Sequence, residues 1–280
     1  MPNLSEFKTQ ITRVQDINKI TKAMELVSTS KLKKLGKKVV DMQEYISEVY
    51  KMFVRIIDNS DNSKYLFNKK KEYKNPVWIV IGSNLGLCGG YNSNIIKLAK
   101  KNISKSDNVI TVGTKMTNFF KGNNYNVFEQ ILNVDENFSI KSLTQLTSDL
   151  ISKYNNEEID AIKILYTKFI NNATFQETVL DLIPIIRKEN EIKDQKSEKE
   201  ILFEPDASTI LEMNMGFYVN TIIYGSIMES QLSEHASRRI AMEAASKNGK
   251  ELYEEYKSLY NKKRQEGITQ EIIEIVAGSL

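Results

Sequence analysis

Cysteine and histidine are almost absent from this sequence, and their absence removes whole classes of chemistry. The single cysteine, Cys88, cannot form an internal disulfide, so the chain suits a reducing compartment rather than a disulfide-built secreted fold. The single histidine, His235, leaves no histidine-based metal site without ligands from outside, and no metal or cofactor is expected. No apolar run approaches the roughly 18 residues of a spanning helix, so no direct membrane insertion is expected. The opening residues, Met1-Pro-Asn-Leu-Ser-Glu-Phe, carry no signal-peptide pattern. Net charge is scarce as well, at +3 from 39 basic and 36 acidic side chains, and does not by itself point to nucleic acid.

Proline is scarce in an informative way. Pro2 stands at the start, and Pro76, Pro184 and Pro205 all lie in the middle, so both ends lack the strongest helix breaker over long stretches. In the first stretch Leu4, Phe7, Ile11 and Val14 recur at spacings of three and four. The stripe runs on through Met24, Val27, Leu35, Val39, Met42, Ile46, Val49, Phe53 and Ile57. A stripe carried for roughly fifty residues exceeds the usual globular helix and suggests a coiled coil. The last stretch begins at Asp206, a plausible N-cap; its apolar residues recur from Ile210 to Ile240, thin out around Ala244, Ala245 and Ser246, and resume from Leu252 to Val276. Seventy helical residues would reach roughly 100 Å, wider than a compact domain of this size, so the helix must project.

The middle has a different period. Val77-Trp78-Ile79-Val80-Ile81, bounded by Pro76 and Gly82, suits a buried strand. A helix is expected from Tyr91 to about Ile103, a strand over 108–112, a short helix near 116–120 and a helix near 140–154. Two longer strands should cover 161–170 and 175–186. The alternation predicts a partly parallel sheet. The fold class is therefore an α/β insert domain between two long terminal α-helices forming an antiparallel coiled coil. The expected divisions are 1–60, 75–187, a charged linker at 188–204, and 205–280.

Candidates for chemistry are few. The glycines of 82–90 follow a strand and precede a helix, where a nucleotide-binding fold cradles phosphate, but the spacing is not G-x-G-x-x-G and no P-loop lysine follows. A tight turn accounts for them better. Cys88 suits a small buried thiol, His235 a structural or interface position, and no carboxylate pair stands out for acid–base work. Two basic clusters, Lys31 to Lys38 and Lys257 to Arg264, are solvated helix faces or docking sites for an acidic partner; no interleaved aromatics favour nucleic acid.

Several stretches resemble the gamma subunits of F-type rotary ATP synthases. They are Lys19-Ile20-Thr21-Lys22-Ala23-Met24-Glu25-Leu26-Val27-Ser28, Gly86-Leu87-Cys88-Gly89-Gly90-Tyr91-Asn92, and Ser233-Glu234-His235-Ala236-Ser237-Arg238. Tyr260-Asn261-Lys262-Lys263-Arg264-Gln265 and Ile268-Thr269-Gln270-Glu271-Ile272-Ile273-Glu274-Ile275-Val276-Ala277-Gly278 follow in the same order, and Phe203-Glu204-Pro205-Asp206 resembles the motif opening the last helix. Asn84 stands where the family usually has Asp, Leu85 where it usually has a basic residue, and Arg239 and Glu243 also depart from it.

The resemblance implies a non-catalytic rotor shaft inside a hexamer of alpha and beta subunits. Lys22, Met24, Lys31, Arg238, Arg264, Gln265, Thr269, Glu271, Ile272 and Val276 would face that ring. Glu204 and Asp206 would face the epsilon subunit and the membrane ring of c subunits. The implied location is the cytoplasmic face of a bacterial membrane, held through partner subunits. The alternatives are a gamma-like paralogue in a specialised F-type-like ATPase and a coiled-coil scaffold; a small Rossmann-like enzyme would need a phosphate cradle and a perturbed catalytic group.

Overall fold

The computed structural model describes residues 4–60, 66–67, 73–132, 134, 138–186 and 202–278. Most of the expected linker, 188–201, lies outside the described residues. Two helices dominate: α1 (Leu4–Asp58, 55 residues) and α5 (Ala207–Gly278, 72 residues). Between them come β1 (Leu66–Phe67), β2 (Pro76–Ile81), α2 (Tyr91–Asn102), β3 (Asn108–Val112), α3 (Thr114–Gly122), β4 (Asn126–Ile131), a 3-10 turn (Ile140–Leu143), α4 (Thr144–Asn155), β5 (Ala161–Phe169), β6 (Phe175–Ile183) and β7 (Ile185–Ile186). The chain divides into two compact units, one spanning 31–237 and the other made of 1–30 with 238–280.

In the larger unit, five strands form one sheet in the order β4-β3-β2-β5-β6, parallel except for β6, which runs antiparallel at one edge. Both faces of the central strand are covered, which is why its sequence is an unbroken apolar run. Trp78 and Val80 point to α2 and α3, packing with Tyr91, Ile95, Ala99, Met116 and Phe120. Val77, Ile79 and Ile81 point the other way, into a core shared with α4 and with Phe53 of α1 and Leu211, Met215, Val219 and Ile223 of α5. Each such side chain contributes roughly 1.5–3 kcal/mol on burial, so the helix stripes serve the domain core as well as each other.

Within this unit the two long helices run in opposite directions. The Phe53 and Tyr218 rings lie 4.9 Å apart, Gln43 Nε2 donates to Glu229 Oε1 at 2.9 Å, and Leu35 and Val39 cluster with Met228 and Leu232. Gly225 of α5 lets the helices approach closely, since a Cβ there would collide with the end of Ile46.

Two elements differ from the sequence expectations. Strand β4 has mostly exposed residues and no apolar periodicity, because as an edge strand it offers little to bury. The long run 175–186 is broken at Pro184, which separates β6 from β7; β7 turns away to pair in parallel with β1.

Candidate functional site

The chain moves outward from β2 to β3 and β4, then returns to place β5 on the other side of β2. This reversal creates a crevice at the carboxyl ends of β2 and β5, where open α/β sheets take their ligands. The glycine loop after β2 rims that crevice, and α5 fills it. Ser226, Ser230, Ser233 and Ser237 are all buried and recur at steps of four, three and four, so they share one face of α5.

Each of the last three makes a bond to the sheet or the loop. Ser233 Oγ donates to Thr167 O at 3.2 Å, and Ser237 Oγ donates to Cys88 O at 2.7 Å. Ser230 Oγ lies 2.7 Å from Tyr91 OH and accepts from Thr167 N. Burial pushes the Tyr91 phenol well above its ordinary range, so it stays protonated as a donor.

The loop itself is closed by Asn92. Its Oδ1 accepts from Ser83 N, and its Nδ2 donates to Ser83 Oγ at 2.7 Å and to Cys88 Sγ at 3.2 Å. Leu87 and Gly89 adopt positive φ, as a tight turn requires. Asn84 Oδ1 accepts from Thr114 N and Thr114 Oγ1, so it ties the loop to the start of α3 as a neutral acceptor. Nothing in the structure explains the exposed Leu85.

One nearly buried carboxylate belongs to the same junction. Glu229 accepts from Gln43 of α1 and from Phe169 N at the end of β5, and Tyr166 hydrogen-bonds to it. Burial raises its pKa, against the lowering effect of those donors and of Lys168. A carboxyl that holds its proton more tightly when folded favours the fold most below its unfolded pKa. That contribution is lost as pH rises through the folded value. Glu229→Gln keeps the acceptor and removes the charge, so it is expected to raise stability relative to wild type at pH 7 and lose that advantage near pH 4. Urea midpoints at the two values check it; an advantage that grows on acidification would contradict the sign.

The smaller unit holds most residues expected to meet partners. Asn18 lies opposite Gly249; with its amide oriented to satisfy both neighbours it donates to Ser246 O at 2.9 Å and accepts from Lys250 N at 3.1 Å. Leu4 precedes Asn18 by about 14 residues, so antiparallel α1 begins at about residue 263 of α5. The last part of α5 therefore runs past the start of α1. There Ile268, Ile272, Ile273, Ile275 and Val276 are about half to two-thirds exposed.

The expected residues fall into distinct environments. Lys22 is exposed and pairs with Glu25 at 2.8 Å, while Met24 and Lys31 are half-buried. Arg264, Gln265, Thr269 and Glu271 are exposed, and Thr269 Oγ1 donates back to Gln265 O at 2.9 Å. Arg238, in contrast, is 5% exposed. Arg239 and Glu243, which both depart from the expected pattern, pair with each other at 3.1 Å, four residues apart. In the larger unit Glu204 is exposed, and Asp206 caps α5 by accepting from Thr209 N at 2.8 Å and Thr209 Oγ1 at 2.7 Å, which lowers its pKa.

The crevice serines were missed by motif reading, although a signal was present. Ser226, Ser230, Ser233 and Ser237 recur at helical spacing within a long apolar stretch, which marks a face that meets hydrogen-bonding groups.

In the larger unit, then, the crevice of a doubly wound sheet is filled by the chain's own α5 rather than left open for a ligand. Comparison with known proteins gives the family. A family model described as ATP synthase matches residues 3–279. The ATP synthase gamma chain of Mycoplasma capricolum is 48% identical over 279 residues, covering 100% of this chain and 99% of that one. The gamma chain of Mesoplasma florum is 47% identical, covering 100% and 98%. The chain belongs to the ATP synthase gamma chain family. Its fold is also similar to that of a chain in the rotor of the Euglena gracilis mitochondrial ATP synthase, with a TM-score of 0.67 and 19% identity over 95% of this chain and 98% of that one. No described helix is long and apolar enough to cross a membrane.

Proposed function

We propose that this chain is the central, non-catalytic shaft of a rotary F-type ATP synthase or ATPase. In this reading α1 and α5 form an antiparallel coiled coil that stands inside a hexamer of alpha and beta subunits. Its rotation presents different faces to successive beta subunits and biases their open and closed states by differential contact. The observation that carries the reading is the exposed apolar tip of α5. An isolated helix end does not leave five large aliphatic side chains in water without a partner to cover them. A bearing formed by the hexamer is the occupant the family suggests.

Lys22, Met24, Lys31, Arg238, Arg264, Gln265, Thr269, Glu271, Ile272 and Val276 are proposed to address the hexamer. Glu204 and Asp206 are proposed to face the epsilon subunit and the c-subunit ring. The complex would sit at the cytoplasmic face of a bacterial membrane. The proposed divisions are the N-terminal helix to about residue 60, the insert domain from about 75 to 187, the linker, and the C-terminal helix.

Limited proteolysis tests the reading directly. The tip of α5 should be trimmed in the free chain and spared after assembly with alpha and beta subunits; equal cleavage in both states would count against an enclosed tip. A finer test addresses Gln265 and Thr269, which are both exposed and four residues apart. Truncating either to Ala should change ATPase rate or assembly mildly, by about 1 kcal/mol, and the double mutant should be non-additive. Full additivity would mean that the two do not share a partner loop.

A further inference from the structure

Charge is not spread evenly over the larger unit. Residues 82–128, which build the loop, α2, β3 and α3, contain six lysines, no arginine, no glutamate and a single aspartate. The whole chain is only +3, so this layer is +5 while the remainder is −2. The one aspartate is used internally: Asp107 Oδ2 accepts from Trp78 Nε1 at 3.1 Å and from Ser104 N at 2.9 Å. Lys97, Lys100, Lys101, Lys105, Lys115 and Lys121 are all exposed, and among the described residues none of them pairs with a carboxylate.

Five of these lysines are on α2 and α3, and Lys105 is on the turn between α2 and β3; Lys121 Nζ donates to Gln130 Oε1 at 2.9 Å. The inner sides of α2 and α3 pack together on the sheet through Ile95, Ala99, Met116 and Phe120. Lys97, Lys100 and Lys101 follow helical spacing on the outer side of α2, and Lys100 Nζ stands 5.5 Å over the Phe119 ring of α3. The neighbouring acids are turned elsewhere: Glu177 accepts from Asn94 at the start of α2, and Glu129 lines a groove with α4 on the opposite face of the sheet.

From this arrangement we infer that the α2–α3 layer is a docking face for a carboxylate-rich protein segment of a partner subunit. The inference rests on the proposal that the chain works inside a multi-subunit assembly. Six like charges on these two helices and the adjoining turn repel one another and are relieved by an acidic counterpart. Lysine, a hydrated point charge without the fork of arginine, suits diffuse attraction over fixed bidentate contact. Neither α2 nor α3 exposes a large apolar side chain, so these helices lack the wedge by which a basic helix enters a lipid interface; the exposed Leu85 and Leu87 belong to the loop. Exposed aromatic platforms for nucleic acid are absent from α2 and α3 as well.

The test is zero-length carbodiimide cross-linking of the purified complex, with peptide mapping, at low and high salt. The expected result joins one or more of these lysines to Asp or Glu of a partner subunit, with a yield that drops several-fold at high salt. A Lys97→Gln, Lys101→Gln, Lys105→Gln variant should still co-purify with the complex and lose those cross-links. Lysines acetylated equally in the free chain and the complex, with no cross-link, would overturn the inference. So would cross-link-free complexes that float with anionic phospholipid vesicles through the same lysines, because the counterpart would then be lipid. Failure of the wild-type chain to co-purify with alpha- and beta-type subunits would instead sink the rotor reading.

Discussion

Gly113→Ala is expected to destabilise the insert domain by about 2–4 kcal/mol, from left-handed strain plus a steric clash. Gly113 joins β3 to α3 with a φ of 91°, and its N–H donates to Ile131 O at 2.9 Å. A Cβ at that position would sit 2.5 Å from Gly82 O and 3.0 Å from the Ser83 carbonyl carbon, both backbone atoms of the glycine loop. Backbone cannot move aside as a flexible side chain does, so the loop must shift. Gly216→Ala in the interior of α5 is the control. Nothing lies within 4 Å of its added Cβ and its φ is not positive, so it should gain about 0.5–1 kcal/mol. Urea unfolding of the two variants should therefore move in opposite directions. A neutral Gly113→Ala would mean that the loop has slack the close approach denies.

Ser230→Val should cost a similar amount, about 2–5 kcal/mol, for a different reason. The serine is fully buried, accepts from Thr167 N and contacts the Tyr91 hydroxyl. Valine leaves the Thr167 N–H without that acceptor and adds volume to a filled crevice. Tyr91→Phe should be milder, at or below about 1.5 kcal/mol, since Ser230 keeps its bond from Thr167. In the Ser230→Ala, Tyr91→Phe cycle the double variant should be less damaging than the sum of the two single changes. Additive losses would mean that the hydroxyls do not act together. The measurable consequence is faster protease cleavage of the insert domain, because these bonds fasten the end of β5 and the glycine loop to α5.

The helices and most strands were legible because each follows a period that burial imposes. The stripes from Leu4 to Ile57 and from Ile210 onward match α1 and α5, and 108–112 is β3 residue for residue. Strand β4 was not legible, because an edge strand with exposed residues carries no burial period. The break at Pro184 was hidden inside an apolar run, where only the pairing of β7 with β1 separates two strands. The environment of Arg238 was equally illegible. Helical spacing gives the direction a residue points, not whether another part of the chain covers it, and Arg238 is buried while Gln265 is exposed.

The sequence alone determined the family resemblance, the two long helices and the alternation of strand and helix between them. Those follow from local periodicity and from motifs that need no partner to be recognised. Only the tertiary structure decided what the glycine loop is for. A strand, a glycine turn and a helix are compatible with a phosphate site or with a packed junction, and the choice depends on what enters the crevice. Here Ser230 and Ser237 meet Tyr91 and Cys88 across 139 and 149 residues of chain, and Ser233 meets Thr167 across 66. A contact at that separation leaves no local period, and folding closes it only because the buried backbone groups of the loop and of β5 must find hydrogen-bond partners.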